Sequence, residues 1–152
     1  MLTFTKTTDY ALQALVYLGS IEKGRVVNVK ELAEGHNAPV DLLAKVLQKL
    51  AKGGLLVSFP GPKGGYRLTH PLSEVTVAQV IEMIEGPVAL TSCLHDGMMC
   101  DQMSKCKVKT PLEKIHQEIT RYLTSVPMSF FIDTGEKVET LYQVGGLKEV
   151  TP

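Results

Sequence analysis

Apolar residues recur at helical spacing in three runs before residue 55, and each run is bracketed by residues that start or stop a helix. In "TTDYALQALVYLGSIEKG", Ala11, Leu12, Leu15, Val16, Leu18 and Gly19 form a broad apolar face, with Thr8 or Asp9 placed to cap it and Gly24 to end it. Asn28 is placed to cap a shorter helix in "VKELAEGH", where Val29, Leu32 and Ala33 make the stripe and Gly35 closes it. In "NAPVDLLAKVLQKLAKGG", Pro39 stands near a helix start, where its missing N–H costs nothing. Leu42, Leu43, Val46, Leu47 and Leu50 then build a core face that runs to Gly53-Gly54. Two helices joined by a tight turn, the second closed by paired glycines, predict a helix-turn-helix.

Past the glycines the period changes. "LLVSFPGPKGGYRLTH" has a strand-like run at 55–59, a Pro/Gly-rich turn at 60–65 and a second strand-like run at 66–69, which reads as a β-hairpin wing. Helical spacing returns in "TVAQVIEMIEG", with Thr76 as cap, Val77, Val80, Ile81 and Ile84 as the stripe, and a break at Gly86-Pro87. A loop must follow. After it Thr110 is placed to cap and Pro111 to open a long helix, whose Leu112, Ile115, Ile119, Tyr122, Leu123 and Val126 form one continuous apolar seam. In so short a chain such a seam predicts packing against a second copy, which sets two recognition helices about one DNA turn apart on a roughly two-fold symmetric operator. The expected architecture is mainly α with a small β-wing. A winged helix-turn-helix domain spans 1–70; a linker helix, cysteine loop and dimerisation helix span 71–126; and a C-terminal tail with some local structure and a flexible end spans 127–152.

Composition and charge narrow the function. An apolar content of 44% with 21% charged residues in 152 suits a soluble protein that buries a core. The start lacks the basic flank and apolar run of a signal peptide, and no stretch nears the roughly 18 apolar residues of a membrane span, so a cytoplasmic protein is expected. The net charge of zero hides an asymmetry: residues 1–70 carry 9 Lys/Arg against 5 Asp/Glu, and residues 71–152 carry 7 against 11. A basic N-terminal half points to a polyanionic partner, most economically double-stranded DNA. A recognition helix needs short polar and cationic side chains opposite its core stripe. Asp41, Ala44, Lys45, Gln48 and Lys49 occupy that face, and Lys63 and Arg67 lie on or beside the wing.

All the cysteines, Cys93, Cys100 and Cys106, fall in "SCLHDGMMCDQMSKCKVK". The spacing C-x6-C-x5-C lacks the tight C-x2-C pairs common in structural zinc sites, and its Gly, Met and Asp residues make a pliant loop able to wrap a larger inorganic cluster. Thiolates suit iron–sulfur clusters, zinc or cuprous copper. Three free thiols are the plain alternative.

The order of these features resembles the winged-helix bacterial regulators that include IscR, NsrR and RirA. The resemblance is carried by "TKTTDYALQALVYL", by "LLAKVLQKLAKGGLL" leading into "GPKGGYRL", and by "VTVAQVIEMIEGPVAL" just before the three cysteines, and it spans about residues 1–126. It implies a homodimeric transcription factor, here a repressor, whose operator affinity depends on an iron–sulfur cluster (2Fe-2S or 4Fe-4S) or, in some members, on cysteine chemistry without one. Cys93, Cys100 and Cys106 match the family's ligands. The IscR-like branch has a histidine three residues after the third cysteine, where this chain has Lys109, and a protonated ammonium cannot ligate. The NsrR-like branch uses an aspartate near the N-terminus of the opposite subunit, and Asp9 stands at the matching position. His95, within the loop, is the second choice, and His116 comes ten residues after Cys106. Asp9 has an equally ordinary reading as a helix N-cap or first-turn anion.

Other classes stay in view. A cluster-free thiol redox sensor or partner-regulated repressor would keep the same winged helix. An enzyme is not expected, because no nucleophile–base pair, P-loop or Rossmann fingerprint is present and the four histidines are scattered.

Overall fold

The structure, a computed structural model, describes residues 3–91 and 105–133. In chain order its elements are α1 (Lys6–Ser20), α2 (Val29–His36), α3 (Val40–Lys52), β1 (Leu56–Phe59), β2 (Gly65–Leu68), a 3-10 turn (Leu72–Glu74), α4 (Val77–Glu85), α5 (Lys109–Ser125) and α6 (Phe130–Asp133). This is the expected mainly α chain with a small antiparallel wing: a winged helix-turn-helix followed by a long helix.

Local chemistry explains where the helices begin, and it corrects three expectations. The cap of α1 is Thr5, not Thr8 or Asp9: its backbone is extended and its hydroxyl accepts the Thr8 N–H (3.3 Å), so Thr8 and Asp9 fall inside the first turn. Asn28 caps α2 as expected, its Oδ1 accepting the Glu31 N–H (2.9 Å). The helix, however, runs through Gly35 to Asn37, which adopts left-handed backbone (φ 51°) and donates its N–H to the Ala33 carbonyl. The cap of α5 is Val108, which makes no side-chain cap bond, so Thr110 and Pro111 lie within the first turn, where proline is harmless. Thr76 and Gln79 close a reciprocal capping box at the start of α4.

One apolar core joins these elements. Leu15, Leu32, Leu43, Val46, Leu47, Leu50 and Val80 are fully buried, so α1, α3 and α4 share a single interior. Leu42 is only half-buried, at the margin of the α3 core face. In the wing, Leu56 pairs with Leu68, Val57 with Arg67, Ser58 with Tyr66 and Phe59 with Gly65. Val27 adds a bridge to Tyr66 through N–H···O bonds of 3.0 and 2.8 Å, which ties the wing to the chain just before α2. Gly65 is required there, because a Cβ would lie 2.2 Å from the Val27 carbonyl oxygen.

The chain after α5 is ordered against the core. Val126 and Met128 are buried, Pro127 bridges Thr76, and the Met128 N–H donates to the Val75 carbonyl (2.7 Å). The expected tail therefore begins with local structure, a strap bonded to the residues that lead into α4. No helix among the described residues is long and apolar enough to cross a membrane.

Candidate functional site

α3 turns its apolar stripe inward, which leaves the face expected to meet DNA outward. With Leu43, Val46, Leu47 and Leu50 buried, Asp41, Lys45 and Gln48 stand exposed and Ala44 half-exposed. Asp41 lies in the first turn, where the helix dipole favours an anion. A groove of about 770 Å3 separates this face from the wing, with Ala44 and Val40 on one wall, Ser58, Pro60 and Tyr66 on the other, and Lys30 of α2 at its edge. Lys30 was absent from the expected set; a cation two residues after the Asn28 cap was the available signal. Lys63 is exposed at the wing's turn. The guanidinium of Arg67 lies 5.0 Å from the centroid of the Phe59 ring, a cation–π contact on the wing's outer face.

Lys49 is exposed on the same helix and has a partner within the protein. Its ammonium donates to the Ile84 carbonyl at the end of α4 (3.0 Å).

The end of α4 is a second concentration of polar contacts. The Glu85 carboxylate accepts from the Thr5 N–H (3.1 Å), the Thr5 hydroxyl (3.0 Å) and the hydroxyl of Thr8, which is completely buried. The Thr8 hydroxyl holds the Glu85 carboxyl below the usual carboxylate range; partial desolvation opposes the shift and the Thr5 donors reinforce it. Asp9 follows Thr8, half-buried, with Oδ1 accepting from Gln13 Nε2 (3.0 Å). Elsewhere on α1, the Tyr17 hydroxyl donates to Glu31 (3.0 Å), which also takes Arg25 at 2.6 Å, and that bond to Glu31 is the main cause raising the Tyr17 pKa.

Of the thiol set, Cys106 is described: half-buried, free of any disulfide and just ahead of α5. Cys93, Cys100 and His95 lie outside the described residues. Among the described residues no three metal-binding side chains converge. Lys109 is engaged with Glu113 at 3.6 Å. His116 on α5 has its Nδ1 buried without a hydrogen-bond partner among the described residues. A cavity of about 570 Å3 lies where the start of the chain, the end of α4 and α5 meet, lined by Phe4, Glu85, Pro87, Leu90, Ile119 and Leu123 among others.

Residues 4–134 match the family profile of Rrf2, described as an iron-dependent transcriptional regulator. The chain belongs to the Rrf2 family. Solved structures share the Rrf2 chain's fold. CymR of B. subtilis, described as the global cysteine regulator, is 21% identical, with 86% of this chain and 96% of that one covered and a TM-score of 0.71. Staphylococcus aureus CymR is 21% identical over 88% and 100% at a TM-score of 0.68. IscR of T. potens is 23% identical over 89% of each chain, also at 0.68. Rrf2 proteins are transcriptional regulators that bind DNA and act as dimers. Sequence reasoning passed over Thr5 and Glu85 and read Thr8 and Ile84 in other roles; in this Rrf2 chain Thr5, Thr8, Glu85 and the Ile84 carbonyl are the groups through which α1 and α3 meet the end of α4, with partners 35 to 80 residues away in sequence that no periodicity marks.

Proposed function

We propose that this Rrf2 chain is a homodimeric repressor whose operator affinity is set by an iron–sulfur cluster held by Cys93, Cys100 and Cys106, with Asp9 of the partner subunit as fourth ligand. The supporting observation is the position of Asp9: it sits half-buried in the first turn of α1, beside the Thr8–Glu85 contact at the end of the helix from which the chain continues into the cysteines. The donor set suits the group, since Cys106 is an unpaired thiol and Asp9 a carboxylate, and soft thiolates with one exchangeable oxygen ligand fit a cluster meant to be lost. When bound, the cluster supplies a tie that oxidation, nitric oxide or iron shortage can break. The chain's own residues do the rest: Asp41, Ala44, Lys45 and Gln48 read base edges, and Lys63 and Arg67 hold the backbone of a roughly palindromic operator.

Anaerobic isolation followed by iron, acid-labile sulfide, visible-absorption and Mössbauer measurements tests this. Cys93→Ala, Cys100→Ala and Cys106→Ala should each abolish the visible bands, and Asp9→Ala should weaken or shift them. If neither iron nor sulfide is present and anaerobic reconstitution also fails, the cluster is excluded. A second reading is a thiol sensor without metal, in which Asp9 has only the helix role seen in its bond from Gln13 Nε2. It requires colourless protein whose DNA affinity still responds to thiol oxidation.

A further inference from the structure

We infer that Lys49 is a positioning residue, not a phosphate contact: it clamps the recognition helix to the end of α4 and so couples the cysteine segment to operator binding. The inference rests on the proposed reading of the cysteines as a switch.

The last carbonyls of a helix lack intrahelical donors and carry the negative end of its dipole. The last turn of α4 contains Glu82 and Glu85 and no cation of its own. Lys49 of α3 supplies that cation from outside, at 3.0 Å from the Ile84 oxygen. The two helices meet closely at the same place: a Cβ on Gly53, the cap of α3, would lie 2.0 Å from the Met83 sulfur, so glycine there permits the approach. One residue beyond Ile84, Glu85 collects the Thr5 and Thr8 donors from α1. A single turn of α4 thus holds both the helix that faces DNA and the helix that carries Asp9, and the chain leaves that turn through Gly86 and Pro87 toward Cys93. A shift of the cysteine segment that arrives through Gly86 meets the last turn of α4, and Lys49 passes it to α3.

The test uses the full chain and a duplex selected from a random pool. Wild type, Lys49→Gln, Lys49→Met and Lys49→Arg are each titrated over a range of salt, in paired states: reconstituted with ferrous iron and sulfide against stripped with EDTA, and thiols reduced against oxidised with diamide. Removing a phosphate contact lowers the slope of log K against log salt by about one. Lys49→Gln and Lys49→Met are expected to keep the wild-type slope, while the ratio of affinities between the paired states falls roughly five-fold, the scale of one cation at a helix C-terminus. Lys49→Arg, which keeps a cation within reach of the carbonyl, retains the ratio. A slope reduced by about one in Lys49→Gln places the ammonium on DNA and overturns the inference. An unchanged state ratio in Lys49→Gln beside a large one in wild type also overturns it, and leaves the proposed function standing. If wild type itself shows no state dependence in either pair, the switch reading falls and the coupling with it.

Discussion

At the scale of single residues, the contacts that matter most are those made by small polar side chains in unusual positions. Thr8 is completely buried, and the Glu85 carboxylate offsets the cost of burying its hydroxyl. Thr8→Val should destabilise the protein by about 1–2 kcal/mol, because Glu85 loses one of its donors; thermal unfolding measures the effect. The folded-state pKa of Glu85 is depressed, so its contribution is complete above the ordinary carboxylate range and is lost as pH falls through the lower folded value. The difference in unfolding free energy between wild type and Glu85→Gln should therefore be constant near neutrality and shrink in acid. A difference that does not change with pH would remove Glu85's ionised form from the account. In the wing, Gly65→Ala must push against the Val27 carbonyl and should cost about 1–3 kcal/mol, loosening the bridge that holds the hairpin.

Elements show how far pattern alone reaches. The stripe of α3 was legible because a helix buried on one side must repeat its apolar residues at the helical period, and Leu43, Val46, Leu47 and Leu50 are all buried. Leu47→Ala should lower stability by about 2–5 kcal/mol, read from urea unfolding. The seam of α5 behaves differently within one chain. Leu112, Ile119, Tyr122 and Leu123 are half-buried, and Ile115 stays 50% exposed, although the sequence groups all of them on one face. An apolar stripe shows that something covers it but not what; α4 takes part of this one, and a second copy is the expected cover for the rest. Ile115→Lys should shift the dimer toward monomer in sedimentation and weaken operator binding steeply, since a monomer engages one half-site. Helix starts were less legible, because Thr5, Thr8 and Asp9 are all cap-forming types within one turn, and the bonds to Glu85 that hold Thr5 and Thr8 come from a distant part of the chain.

For the molecule as a whole, the charge asymmetry and the exposed face of α3 make one expectation about affinity. Operator binding should weaken with salt, and Lys45→Gln and Lys63→Gln should each reduce the slope of log K against log salt by about one if they neutralise a phosphate each. Variants that lower affinity without changing the slope would move these lysines from backbone to base contacts.

The order of elements, the wing, the interior faces of α1, α3 and α4 and the grouping of the cysteines along the chain were all determined by the sequence, because each is a local pattern enforced by hydrogen-bond geometry, turn chemistry or one-sided burial. Only the tertiary structure decided that Lys49 turns to α4, that Glu85 gathers α1, and that 126–132 strap the core. These depend on which distant surfaces meet, and a long flexible cation or a buried hydroxyl is directed by its nearest unsatisfied partner, which no neighbour in sequence identifies.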